Sequence, residues 1–273
     1  MTTETAYAKI NLALHVRGKR DDGYHEIETV FAFVDAGDVL TARAAEADRL
    51  ETVGEFADVL DNPFDNLVAR AMTALPRDGG LHVTLEKNLP VAAGLGGGSA
   101  DAGAMFRIVE QTHGLPEDWE DKAARLGADV PACVRSEMAI GRGTGTELEP
   151  VENDMAGMAV LLVNPRVPLP TGPVFAAWAS ATDGGDHGPL PKGSARQIAR
   201  EGRNDLRPPA ITICPQIAGV LGALETSDPW LCEMSGSGAT CFALYENAAR
   251  RDKAAQVIAA MQPGWWQMSG TLR

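Results

Sequence analysis

Apolar and polar positions alternate from Ala6 to Val16. Ala6, Ala8, Ile10, Leu12, Leu14 and Val16 share one face, and Tyr7, Lys9, Asn11, Ala13 and His15 the other. A period of two predicts a strand with its apolar face toward a core. Lys9 and Asn11 then project side by side from the opposite face, which reads either as a solvated surface or as a place where a cation and an amide meet a ligand. Asp22-Gly23 predicts a hairpin turn, so Tyr24 and His25 open a second strand that runs to about Val34. Residues 38–53 read as further short strands and Asn66 to Leu75 as a helix. Alternation returns in Leu81-His-Val-Thr-Leu-Glu, a half-buried strand. From Ser99 to His113 the period changes, with Ala102, Met105, Phe106 and Val109 at i, i+3, i+4, i+7, which predicts a helix.

Leu115-Pro-Glu-Asp predicts the start of a helix ending near Leu126. Pro131 suits the first turn of the next one and places Asp129 at or beside its N-cap, where capping is one role open to that carboxylate. Residues 138–150 predict a hairpin, and Ala159 to Val163 a buried strand. A loop rich in proline and glycine runs from Asn164 to Pro173, before a helix near Val174. By its own position Phe175 reads as an ordinary core residue of that helix. Thr182 to Gly193, rich in Gly, Pro and Asp, reads as a mobile surface loop. Asn204 reads as a cap or turn residue. Met234-Ser-Gly-Ser-Gly is a second glycine loop, followed by a buried strand to Tyr245, a helix over Asn247 to Met261 and a last strand over Trp265 to Leu272.

A length of 273 residues predicts two domains, and 45% hydrophobic with 22% charged residues is ordinary globular composition. The formal charge of −13 argues against nucleic acid or an anionic membrane as partner. Such a chain must concentrate cations locally to handle phosphates, and Lys9, Lys19, Arg20 and Lys87 lie in the segments that matter below. Cys133, Cys214, Cys232 and Cys241 show no metal spacing and no C-x-x-C pair. Free thiols, the lack of a signal-like N-terminus and apolar runs too short to span a bilayer predict a cytoplasmic protein without membrane contact.

The chemistry concentrates between the strand at 81–86 and the helix at 99–113. Four of the five residues from Gly94 to Gly98 are glycine. Glycine permits positive φ and close approach of backbone to ligand, and the free N–H groups and dipole of a helix N-terminus favour an anion. Phosphate is the natural guest, against the plain alternative of a glycine-rich turn. A Walker A loop is excluded because Gly98 is followed by Ser99 rather than lysine. A dinucleotide fingerprint counted from Gly94 and Gly96 lacks its third glycine, which Ser99 replaces.

Pro90-Val-Ala-Ala-Gly-Leu-Gly-Gly-Gly-Ser-Ala resembles the signature loop of the galactokinase, homoserine, mevalonate and phosphomevalonate kinase superfamily. Lys87-Asn-Leu-Pro, Ala8-Lys-Ile-Asn-Leu, Asp22-Gly-Tyr-His, Gly127-Ala-Asp-Val-Pro, Asn204-Asp-Leu and the loop at 234–238 narrow the resemblance to its diphosphocytidyl-methylerythritol kinase branch. The likeness implies an α+β, two-domain fold. Residues 1–154 would form a ribosomal-S5-like α/β domain and residues 155–273 a ferredoxin-like domain, with the active site in the cleft between. It implies ATP as co-substrate with Mg2+, phosphorylation of the 2-hydroxyl of a cytidine-diphosphate-linked methylerythritol, and a monomer or homodimer. Lys9 and Asp129 would be catalytic. The nucleotide phosphates would lie on Pro90, Val91, Ala92, Ala93, Gly94, Leu95, Gly96, Gly97, Gly98, Ser99 and Ala100. Asn11, Tyr24, His25 and Phe175 would bind substrate, with Tyr24 and Phe175 as walls of a cytosine slot. Ser235, Gly236, Ser237 and Gly238 would brace the phosphate site, and Asn204 would lie at the interdomain face. Ala100 stands where many members have a second serine, which leaves the magnesium ligands open and assigns no protein residue to a metal. Another small-molecule kinase, a diphosphate decarboxylase or an inactive binding protein are the alternatives. The Asp22-Gly-Tyr-His string opposes the first two, and the presence of both Lys9 and Asp129 opposes the third.

Overall fold

The computed structural model describes residues 1–59, 66–182 and 185–273, and the chain divides into two units. The first holds Met1–Lys9, Ala36–Val91 and Gly96–Glu137, the second Ile10–Asp35, Ala92–Leu95 and Met138–Arg273. Strands β1 (Thr2–Lys19) and β2 (His25–Ala45) contribute residues to both. β2 differs from expectation, because one strand covers the segment meant to end near Val34 and also much of the stretch read as separate short strands. Its ladder partners change along its length, and backbone pairing carries the strand past the break in side-chain pattern.

In the first unit β3 (Arg49–Val53) follows, then helix α1 (Leu67–Ala74) and β4 (Gly80–Glu86). β4 pairs antiparallel with Val39–Ala45 of β2 and parallel with β3. Leu81, Val83 and Leu85 are buried, as the alternation predicts. Asn66 caps α1 by accepting the Val68 N–H. Helices α2 (Gly97–His113), α3 (Trp119–Leu126) and α4 (Val130–Arg135) complete this unit, with α2 packed on α1 and α4. α2 begins at Gly97 rather than Ser99, because Gly96 takes the N-cap with φ 60°.

In the second unit Thr29–Phe31 of β2 pairs with β5 (Ala139–Arg142), which turns back into β6 (Glu147–Pro150) as the expected hairpin. Then come β7 (Ala159–Asn164), α5 (Thr171–Thr182), α6 (Ala195–Glu201), α7 (Arg207–Ile213), α8 (Gln216–Glu225), β8 (Leu231–Met234), β9 (Cys241–Tyr245), α9 (Ala248–Met261) and β10 (Trp266–Thr271). The last four strands form an antiparallel sheet in the order β10-β7-β9-β8. The fourth strand of a β-α-β-β-α-β run lies beside the first, the ferredoxin-like arrangement. β7 and β9 are buried throughout, and their core includes Leu161, Val163, Trp178, Ile217, Leu224, Ala243 and Ile258. α6 and α7, of seven residues each, show too few turns of periodicity to be read from the sequence, and in α8 Gly219 and Gly222 weaken the helical signal.

Residues 185–190, read above as part of a mobile loop, are tied down. Arg17 donates to both Asp186 carboxylate oxygens at 2.7 and 2.8 Å, and the Leu190 N–H donates to Glu28 at 2.7 Å. Composition reports a weak propensity for regular structure, but not how many bonds other elements send to a loop. Residues 183 and 184 of that stretch lie outside the described residues. No helix among the described residues is long and apolar enough to cross a membrane.

Candidate active site

β1 buries both of its faces: Lys9 is 4% exposed and Asn11 2%. The solvated-face reading therefore falls, and a buried ammonium requires a partner. Lys9 Nζ lies 2.9 Å from Asp129 Oδ2, on a carboxylate 31% exposed. Asp129 stands at the N-cap of α4 but its side chain makes no capping hydrogen bond, while Pro131 occupies the first turn. The carboxylate is thus oriented by Lys9 rather than spent on the helix end.

α4 carries Asp129 and is set by α2. A Cβ on Gly103 would stand 2.5 Å from both the carbonyl carbon and oxygen of Cys133, so only glycine allows this approach of the two helices. Arg107, also on α2, donates to the carbonyls of Cys133 and Val134 at 2.7 and 3.2 Å and satisfies the free end of α4. Gly103→Ala is expected to force the helices apart, at a cost of about 1–3 kcal/mol and about 2–4 °C in Tm per kcal/mol. With Asp129 as the base that the sequence resemblance implies, turnover should fall by up to roughly 10²-fold as that residue moves. Thermal melts and kcat check this, and a variant with lowered Tm but full kcat would separate the helix contact from catalysis.

The start of α2 adjoins the same pair. The Cβ position of Gly96 is 3.0 Å from Lys9 Cε and 3.6 Å from Asp129 Oδ2. No acidic residue occupies the first turn of α2, so no side chain of that turn opposes an anion at its N-terminal amides. Lys87 does not point to solvent. Its buried ammonium pairs with Asp38 and, at 2.9 Å, with Asp101. Burial pushes the Asp101 carboxyl up to about 8; Lys87 opposes that shift and Asp38 adds to it. Against the cost of its own burial, the charges of Asp101 and Asp38 raise Lys87. Sequence reasoning missed Asp38 and Asp101. The available signal was one acid set among Ala100, Ala102 and Ala104 on a buried helix.

In the second unit the two glycine loops meet. Gly94 has φ 77°, and a Cβ there would lie 2.2 Å from the Ser235 carbonyl oxygen. The Ser235 hydroxyl donates to the Gly94 carbonyl at 2.7 Å, and the Thr240 N–H to that of Ala93 at 3.1 Å. Asn204 donates to the carbonyls of Met234 and Gly236, both at 2.8 Å, and so braces the backbone around Ser235 and Gly236. Its oxygen also accepts the Leu206 N–H, the turn role expected of it. Ser237 shares a 3.0 Å hydrogen bond with Thr171, and Gly238 donates its N–H to the Ser235 carbonyl. Asn11 donates to Thr29 at 2.7 Å, and Thr29 donates to the Ala13 carbonyl. Thr29, which the sequence did not single out, fixes the Asn11 amide.

Tyr24 is exposed at the turn, where Arg20 pairs with Asp22 and Glu26. His25 stacks on Phe175 with ring centroids 4.6 Å apart and meets the edge of Trp178 at 5.8 Å. Phe175 is half-buried and packs partly on the core, so both of its sequence readings have a counterpart in its surroundings. His25 Nε2 and Trp178 Nε1 are buried without a hydrogen-bond partner among the described residues. Burial, with Lys19 adding to it, lowers the His25 pKa and favours the neutral imidazole. Trp178 was missed because its helix offers no clear apolar stripe to place it.

Residues 66–137 match GHMP kinases N terminal domain, and residues 189–264 match GHMP kinases C terminal. A 4-diphosphocytidyl-2-C-methyl-D-erythritol kinase of Erythrobacter litoralis is 82% identical over 273 residues, 100% of both chains. One of Novosphingobium aromaticivorans is 64% identical over 270 residues, covering 99% of this chain and 92% of the relative. A crystal structure of 4-(cytidine 5'-diphospho)-2C-methyl-D-erythritol kinase aligns at TM-score 0.82 and 30% identity over 99% of each chain. Likeness that runs the length of the chain, on a fold that brings a lysine and a carboxylate to the start of a glycine-loop helix, places it: this small-molecule kinase belongs to the 4-diphosphocytidyl-2-C-methyl-D-erythritol kinases, within the GHMP kinase family.

Proposed function

We propose that this kinase transfers the γ-phosphoryl group of ATP to the 2-hydroxyl of 4-diphosphocytidyl-2-C-methyl-D-erythritol, a step of non-mevalonate isoprenoid synthesis. The observation that carries the reading is the 2.9 Å Lys9–Asp129 pair, with both side chains beside the Gly96 turn. The substrate hydroxyl oxygen attacks the γ-phosphorus, Asp129 takes its proton, and the bond to the β–γ bridging oxygen breaks to release ADP. Lys9 orients the hydroxyl and offsets charge that builds on the transferring oxygens, where positioning and electrostatics supply most of the rate. Backbone N–H groups within residues 90–100 hold the nucleotide phosphates, with Ser235 to Gly238 bracing the loop in the second unit.

No group of three or more His, Cys, Asp or Glu that could hold a metal assembles among the described residues. Mg2+ is commonly bound through substrate phosphates and water rather than an all-protein cage. The ion therefore fits as part of the nucleotide complex, where it would neutralise phosphate charge. Residues 1–154 and 155–273 are the two family domains in this reading. The compartment is the cytoplasm, and the state is a monomer or homodimer without nucleic-acid or membrane partners.

Cytosine recognition falls to the second unit, where Phe175 offers a ring face and His25 a neutral imidazole with an unused Nε2, and Tyr24 supplies the other wall. Base–aromatic stacking is worth ~1–3 kcal/mol, or roughly 5- to 150-fold in affinity. Phe175→Ala should raise the Michaelis constant for the diphosphocytidyl substrate by about that factor and leave that for ATP in place. Equal weakening of both, or unfolding, would make Phe175 a core residue. The direct test of the reading is ADP release with the diphosphocytidyl substrate, with methylerythritol lacking the cytidyl group, and with a panel of other alcohols. Equal turnover without the cytidyl group would remove the cytosine slot.

A further inference from the structure

The glycine loop has an anchor that the chemistry above does not use. Asp38, Lys87 and Asp101 come from β2, from the end of β4 and from α2, and all three are buried. Asp38 Oδ1 accepts the N–H groups of Asn88 and Leu89 at 2.5 and 2.7 Å, which fixes the chain as it enters the loop. Its other oxygen binds Lys87, and Lys87 binds Asp101 on the helix that leaves the loop. The Cβ position of Gly97 is 3.4 Å from Lys87 Nζ and 3.8 Å from Asp38 Oδ2, so the Lys87 ammonium and the Asp38 carboxylate lie directly behind the first turn of α2. The Lys87 backbone is itself gripped, its N–H donating to the Val53 carbonyl at 2.7 Å and its carbonyl accepting from Phe56. Asp101 Oδ1 is buried without a hydrogen-bond partner among the described residues.

We propose that Asp38, Lys87 and Asp101 are positioning residues for ATP. They tie the entry of the glycine loop to the helix that follows it, and they set the net charge behind the phosphates. This rests on residues 90–100 being the nucleotide loop. One lysine between two aspartates balances only if one carboxyl is protonated. Asp101 carries that proton: among the described residues its Oδ1 meets no donor that would stabilise a charge, and burial pushes its carboxyl up to about 8. Above that pH the triad gains a negative charge behind a loop that must hold an anion.

The helix α2 and the elements packed against it carry further ionisable groups. α4 brings Cys133, whose thiol burial pushes well up, and the Lys9–Asp129 pair stands at its start. α1 carries Arg70, which is exposed, and α2 itself carries Arg107, which pairs with Glu4.

The test is the Kd for MgATP, read by titration calorimetry without acceptor between about pH 6 and 9.5, together with kcat. The wild-type Kd should rise by about tenfold across the alkaline limb. Asp101→Asn keeps an oxygen for Lys87 but cannot ionise, and its Kd should lose that rise. Lys87→Met should weaken MgATP by about tenfold or more while kcat at saturating ATP holds within about threefold. An alkaline rise that persists in Asp101→Asn, or a Lys87→Met protein that folds and loses kcat with Kd intact, overturns the proposal. If Lys87→Met does not fold, the Asp101→Asn profile decides. A wild type that binds no MgATP would sink the loop reading itself, whereas tight but pH-independent binding sinks the triad alone. Failure of the substrate reading leaves this measurement untouched.

Discussion

Asp129→Asn is expected to lower turnover by roughly 10²–10⁴-fold, the usual worth of a positioned general base. The structure separates this from a stability effect. Asp129 makes no side-chain cap on α4, so the helix loses nothing when the carboxylate becomes an amide. What does change is Lys9, a buried ammonium that would face an amide oxygen instead of a charge. Fully buried pairs lose ~3–5 kcal/mol when one partner is removed. This carboxylate is 31% exposed, so water offsets part of that loss and about 1–2 kcal/mol is the expected scale. A native state stable by ~5–15 kcal/mol stays folded after such a change. A fall of two or more orders in kcat with a Tm lowered by only a few degrees would therefore report chemistry. Near wild-type kcat would return Asp129 to a structural role.

Lys9→Met is the second large effect. Methionine fills much of the buried lysine stem and deletes only the charge. The remaining Asp129 carboxylate reaches water, so stability should hold better here than in Asp129→Asn. Losing one preorganised donor at the reacting centre costs roughly 10²–10³-fold in kcat, and the Michaelis constant for ATP should move by less than about threefold. Because the two groups act as a unit, the double variant should lose much less than the product of the single losses. Multiplicative losses would mean that they act independently. A Lys9→Met enzyme that lost ATP binding alone would make Lys9 a nucleotide ligand.

Much of the fold is written in local pattern. The alternation over residues 6–16 and 81–86, the period change after the glycine run and the last β-α-β elements all appear where the sequence places them. Such features are legible because each depends on its own residues: strand and helix have different periods, and a position such as Gly94 at φ 77° admits little besides glycine. The order of motifs along the chain likewise sufficed to indicate the family.

Tertiary structure alone decided the partners. Nothing in the alternation of β1 says that its polar face is buried too, because periodicity tells the two faces apart but not what covers them. The Lys9–Asp129 pair, the Asp38–Lys87–Asp101 triad, the bonds from Asn204 to the second glycine loop and the stacking of His25 on Phe175 each join distant segments. A buried charge or amide is tolerated only with a partner, and which residue serves is set by how strands and helices pack. The sequence by itself thus determined the family and where the backbone must bend, and packing determined which of its polar residues meet.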